Sequence, residues 1–170
     1  MKNILLILTF ITLISCTSDP EEQLLLARAN INKGAYETAR YHLDDLLKSD
    51  STVAEAYMLL GRLENKLNNY KEAKTILDRC LANNPQYVEA YKERSVTNKK
   101  LGLNSEAIAD LTKLLTLYGE DGSIYLDRGN LYLGVGKLDD ACRDWLKAGE
   151  LGETEALRIH KKFCVTPEFE

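Results

Sequence analysis

Small and large apolar residues recur along this chain at one interval. Ala39, Ala73, Ala107 and Ala141 stand 34 residues apart, and the same phase carries small residues at Ala27, Gly61, Ser95 and Gly129. It also carries large apolar residues at Leu43, Leu77, Leu111 and Trp145. A period of this length marks stacked supersecondary units, none of which buries its apolar face alone. With units starting at Pro20, Ala54, Val88 and Gly122, the small residues fall at position 8, the alanines at position 20 and the large residues at position 24. Position 17 holds Tyr36, Tyr70, Asn104 and Leu138, and position 27 holds Leu46, Cys80, Leu114 and Ala148. At position 15 stand Gly34, Asn68, Gly102 and Gly136, residue types that tolerate a left-handed turn between paired helices. The expectation is one continuous all-α array over residues 20–164, with units at 20–53, 54–87, 88–121 and 122–155.

Capping chemistry predicts where helices begin. Asp19 precedes Pro20, with Glu22 three residues after the cap, and Thr52 followed by Glu55 offers a second capping box. Pro85 after Asn84 is expected to open the first helix of the third unit. Beyond the fourth unit, Glu155 to Phe163 reads as one further helix that packs through Ala156, Leu157, Ile159, His160 and Phe163. A helix over 156–164 would cover the last exposed seam of the array. Residues 165–170 form a short acidic tail, expected to be loosely held.

The start of the chain has a different pattern. Lys2 is followed by a nearly unbroken apolar run from Ile4 to Ile14, then Ser15 and Cys16. That order predicts a signal peptide over 1–15, too short to stay in a bilayer as a permanent span. Leu13-Ile14-Ser15-Cys16 resembles a bacterial lipobox, which implies a diacylglyceryl thioether on Cys16 and cleavage just before it, leaving 16–19 as a lipid-anchored linker. Thr17 stands where an aspartate would resemble an inner-membrane retention signal, so the expected location is the outer membrane, on its periplasmic side or at the cell surface.

Charge and titratable residues narrow the function. The formal net charge of −4 becomes −5 once Lys2 is removed, which gives no general attraction to nucleic acid. The chain has only two histidines; His42 and His160 have no nucleophile and acid at a recognisable spacing. Asp44 with Asp45, and Asp139 with Asp140, are adjacent helix positions that point in different directions and read as solvated charge. Gly134 and Gly136 lack the lysine of a phosphate loop, and no metal-ligand spacing occurs. The chain is therefore expected to hold a partner rather than convert a substrate, with no cofactor. Cys80 falls at an apolar core position. Cys142 and Cys164 reach similar heights if the last two helices run antiparallel, so they are either bridged or separately buried. A bridge across the 22-residue interval would contribute roughly 3 kcal/mol.

The four-unit pattern resembles the tetratricopeptide repeat, a helix-turn-helix unit, over residues 20 to about 155. The resemblance implies a right-handed superhelical array of antiparallel helix hairpins whose first helices line a groove through positions 2, 5, 9, 12 and 13. Carried over, the groove would show Arg28, Asn32, Met58, Arg62, Asn65 and Lys66 from the first two units. From the others come Lys92, Val96, Lys99 and Lys100, then Leu126, Asn130 and Leu133. This set is mostly basic, which favours a protein or peptide carrying carboxylates. Asn65 and Asn130 would hold its backbone, with Met58 and Leu126 as apolar contacts. Leu24 at position 5 departs from the carboxylate-clamp pattern of chaperone-binding members. The two functional expectations are a lipid-anchored adaptor for a protein or peptide, in an envelope assembly or secretion complex, and a self-associating structural scaffold.

Overall fold

The computed structural model describes residues Asp19 to Cys164. The expected signal peptide, most of the linker with its lipidation site Cys16, and the tail at 165–170 lie outside the described residues. Among those residues are nine helices and no strand: α1 (Pro20–Lys33), α2 (Tyr36–Ser49), α3 (Ala54–Lys66), α4 (Tyr70–Asn83), α5 (Val88–Lys100), α6 (Asn104–Tyr118), α7 (Gly122–Gly134), α8 (Leu138–Glu150) and α9 (Thr154–Phe163). Consecutive helices pack in pairs, and each pair packs on the next, so contacts run along the array between neighbours. The turn within each pair passes through one left-handed residue: Gly34 at φ 77°, Asn68 at 63°, Gly102 at 75° and Gly136 at 77°. These are the four residues of position 15.

The periodic residues pack as their spacing requires. Ala39, Ala73, Ala107 and Ala141 are all fully buried, as are Leu43, Leu77 and Trp145. In the second and fourth units the large position-24 residue lies across the small position-8 residue. A Cβ built on Gly61 would sit 2.5 Å from Leu77 Cγ, and one on Gly129 would sit 2.8 Å from Trp145 Cδ1. A small residue in the first helix thus sets how closely the second approaches. Burial of each such leucine contributes roughly 2 kcal/mol.

The helix starts repeat at 20, 54, 88 and 122, but α9 begins at Thr154, 32 residues after Gly122. The boundary expected at 155/156 therefore falls two residues early. In the first three units the second helix and the following link together take 18 residues; in the fourth, α8 and its link take 16. Aligned on helix starts, Ala56, Ala90, Ile124 and Ala156 share one buried position. In the same alignment, exposed Lys161 stands where Ala27, Gly61, Ser95 and Gly129 stand in the earlier first helices.

Two expected caps are absent and one unexpected cap is present. Asp19 caps α1 by accepting from Glu21 N at 3.1 Å. Thr52 does not cap α3, because its N–H and hydroxyl both donate to Asp50 Oδ1, at 2.8 and 2.6 Å. Pro85 likewise does not open α5. It lies in the link between α4 and α5, where Asn84 Oδ1 accepts from Gln86 N at 3.1 Å. In both links an Asx turn, a side chain bonded to its own backbone two residues on, closes the bend, and the helix starts beyond it without a side-chain cap. Asp121 supplies the unexpected cap, accepting from Ser123 N at 2.9 Å and Ile124 N at 3.3 Å.

Buried ion pairs pin the seams. Arg94 donates to Asp110 in its own unit, Nη2 to Oδ1 at 2.6 Å, and to Asp78 of the preceding unit at 2.7 Å. Arg128 repeats the arrangement with Asp144, Nε to Oδ2 at 2.7 Å, and with Thr112 Oγ1 at 3.0 Å. Between the first two units, Arg40 pairs with buried Glu64, which also accepts from Asn69 at 2.9 Å. Asp144 holds the Arg128 guanidinium above its ordinary pKa against the burial that opposes it.

The last helix is clipped on. Cys142 and Cys164 form a disulfide with Cα atoms 5.7 Å apart, and Phe163 packs on Trp145 with ring centroids 5.9 Å apart. Cys80 is a fully buried free thiol that donates to Ala54 O, and burial pushes its pKa up to about 12.

Candidate functional site

The first helices α1, α3, α5 and α7 bring the expected groove residues to one side of the array, although not all as surface. Arg28, Asn32, Met58 and Arg62 surround a recess of about 200 Å³ between the first two units, closed further along by Tyr87 and Glu89. Burial, with Glu55 and Glu89 nearby, pushes the Tyr87 phenol up to about 12, so it stays a neutral hydrogen-bonding group. Met58 is only 3% exposed. It forms the floor of the recess and offers a partner little surface, because it packs into the core shared with Leu59 and Leu63. Leu126 is half-buried, whereas Val96 and Leu133 are exposed.

The asparagines are engaged within the fold. Asn65 Oδ1 accepts from Thr97 Oγ1 at 2.9 Å, and its Nδ2 points to Glu93 O at 3.5 Å, so its amide ties the second unit to the third. Asn130 Oδ1 accepts from Trp145 Nε1 at 3.1 Å while the residue stays exposed. Of the two, Asn130 keeps its amide donors directed away from that bond.

Several cations carry their own counterions. Arg28 pairs with Glu55, Arg62 Nε with Glu93 at 2.6 Å, and Lys99 with Asp127 at 3.7 Å. Each pair links the first helices of neighbouring units, so its role includes holding the array together. The acids were visible at position 2, where Glu55 and Glu89 stand, and at position 6, where Glu93 and Asp127 stand. They make this face less basic than the expected set of groove residues implies. Lys66, Lys92 and Lys100 are exposed and make no ion pair among the described residues. Lys92 also borders a second recess of about 180 Å³ with Leu114, Tyr118 and Ile124. The face is thus a row of paired charges with Lys66, Lys92 and Lys100 outside any ion pair, Lys92 lying near Asp121, and with two exposed apolar residues.

Residues 30–93 match the tetratricopeptide repeat family. The match runs from α1 into α5, and the fold of the array is that of solved tetratricopeptide repeat solenoids. A crystal structure of MamA is similar to it, with 27% identity over 82% of this chain and 81% of that one, at a TM-score of 0.73. MamA 41-end from Desulfovibrio magneticus RS-1 is 23% identical over 81% of this chain and 77% of its own, at 0.70. YrrB, described as a TPR protein with an unusual peptide-binding site, is 21% identical over 85% and 76%, at 0.77. No curated protein matches the chain.

Tetratricopeptide repeats ordinarily carry leucine at position 7 and an aromatic at position 4. This array keeps the aromatic as Tyr57, Tyr91 and Tyr125, but at position 7 it has Arg94 and Arg128. Those guanidiniums lie over the position-4 rings, 5.6 Å from the Tyr91 centroid and 5.4 Å from that of Tyr125. Tetratricopeptide repeat proteins bind protein or peptide partners, and the first-helix face is the candidate surface here. Among the described residues no group of three or more His, Cys, Asp and Glu is placed to hold a metal ion, and no helix is long and apolar enough to cross a membrane.

Proposed function

We propose that the chain is a non-enzymatic adaptor that binds an extended or helical protein segment on its first-helix face while a lipid on Cys16 holds it to a bacterial outer membrane. The observation that carries this reading is the exposed row of Lys66, Lys92 and Lys100, none of them in an ion pair among the described residues, beside the exposed Val96. A segment with carboxylates spaced along it and an apolar side chain between them complements that row, and fixed charges on a shaped face orient a partner as well as attract it. The lipobox-like sequence ending at Cys16 supports the anchor, and Thr17 supports the outer membrane. An envelope assembly or secretion complex is the setting such an anchored adaptor fits.

The test is crosslinked recovery of partners from native cells by the full chain, compared with its K66E/K92E/K100E variant. These lysines are exposed, so the variant keeps its thermal stability and loses the partners the wild-type chain recovers. Equal recovery by both removes the groove assignment. The anchor is tested separately by Cys16→Ser, which abolishes incorporation of labelled fatty acid if the lipid is there.

A further inference from the structure

The two ends of the array carry matching strips. In α1, Glu21, Glu22, Leu25 and Leu26 stand at i, i+1, i+4 and i+5, which puts them on one face of the helix. All four are exposed, Leu25 to 67%. In α9, Leu157, Arg158, Lys161 and Lys162 have the same spacing and are likewise exposed, Leu157 to 45%. Both faces sit at the ends of the array, where no further helix among the described residues covers them; Leu157 leans on Gly149 of α8 and keeps its outer side exposed. Leu26 holds position 7, through which Arg94 and Arg128 reach the preceding unit in α5 and α7. Lys161 holds position 8, over which the second and fourth units seat their second helices.

We infer that a second copy of this chain occupies these faces, with α9 of one copy packed antiparallel on α1 of the next. The antiparallel register is fixed by the order of residues. It brings Glu21 and Glu22 opposite Lys161 and Lys162, and Leu25 and Leu26 opposite Leu157 and the aliphatic stem of Arg158, whose head is held by Glu155. The parallel register would set the two carboxylates against Leu157 and strand the lysines against leucines. Antiparallel packing also places the acidic, N-terminal end of α1 beside the basic, C-terminal end of α9, where charge and helix dipole agree. A recess of about 440 Å³ beside Glu21, Glu22, Leu24 and Leu25 gives the incoming side chains room. Because the two patches differ, the contact is head to tail and repeats from copy to copy. This goes beyond the adaptor reading and uses none of Lys66, Lys92 and Lys100.

The test follows the mass of the full chain in detergent by light scattering, with the detergent contribution subtracted, over increasing concentration. The expected result is growth from one chain to two and more, reversed by high salt. K161E/K162E and E21K/E22K each hold the mass at one chain, with helical content and melting unchanged. Combining all four substitutions in one chain restores association, which a merely structural effect of either swap does not do. The K66E/K92E/K100E variant associates like wild type. A wild-type chain that stays single at every concentration overturns the inference, as does association that ignores the swaps or is not restored by their combination.

Discussion

Arg128 and Asp144 form the same pair in the fourth unit that Arg94 and Asp110 form in the third, each pair 16 residues apart along the chain. Both acids are buried, Asp110 to 3% exposure and Asp144 to 5%, so each guanidinium is what makes its carboxylate tolerable. Asp144→Ala therefore leaves Arg128 half-enclosed without its partner and costs about 3 kcal/mol. The double replacement Arg128→Met with Asp144→Leu removes both charges and keeps stability within about 1 kcal/mol of wild type or raises it. Urea unfolding of the three proteins decides this, and a double variant as weak as the single would show that the pair itself stabilises.

The bridge between Cys142 and Cys164 fastens α9, which has no second helix of its own among the described residues. Cys142→Ser lowers stability by about 3 kcal/mol. The loss is local: hydrogen exchange accelerates first in α9, while α3 and α4 keep their protection. Uniform acceleration along the chain would mean that the clip acts on the whole array.

Gly129 lies under Trp145 and Gly61 under Leu77. An added methyl at Gly129 meets a rigid indole and, at 3.3 Å, the carbonyl of Ala141, whereas at Gly61 its three nearest contacts are all side-chain atoms of one leucine, Leu77, with no backbone atom among them. Gly129→Ala is thus the costlier, by about 2 kcal/mol against about 1 kcal/mol for Gly61→Ala. Trp145 is the one tryptophan in the chain, so its fluorescence reports the displacement directly. Equal costs would mean the indole yields as freely as leucine.

Asp121 caps α7, and its bonds from Ser123 and Ile124 hold its carboxyl below the ordinary value of 3.8. A depressed carboxylate stabilises the fold above its unfolded pKa and loses that contribution as pH falls through the folded value. Asp121→Ala accordingly costs about 1 kcal/mol at neutral pH, and the difference from wild type shrinks below pH of about 4. Thermal melts of both proteins between pH 3 and 7 show it; a gap that persists at pH 3 would assign the effect to something other than the ionised cap.

The parts of the fold legible in the sequence are those governed by one residue type at one place. A position-8 residue has to be small because a position-24 residue lies on it, and a position-15 residue has to tolerate positive φ, so identity alone revealed both. Arg94 with Asp110 and Arg128 with Asp144 escaped notice because a pair is a relation between two positions, present in only two units and filled in the second by Leu60 and Ile76. The groove was legible as a location but not as a surface. Which neighbour Arg28, Arg62 and Lys99 find, and that Met58 lies beneath the first two, depends on how far one unit is rotated on the next. Thr52 and Pro85 misled because Asp50 and Asn84 each close an Asx turn in the link, and the next helix starts two residues after Thr52 and three after Pro85.

Lys161 bears on how such a protein changes length over generations. Gene duplication adds hairpins to an array wherever the outgoing helix accepts another against it. With an ammonium where every earlier first helix has Ala, Gly or Ser, a hairpin inserted after α9 would have to desolvate a charge before it could dock. A small uncharged residue at this position would remove that cost, and with the lysine in place insertion between the existing units is the less costly way to lengthen the array.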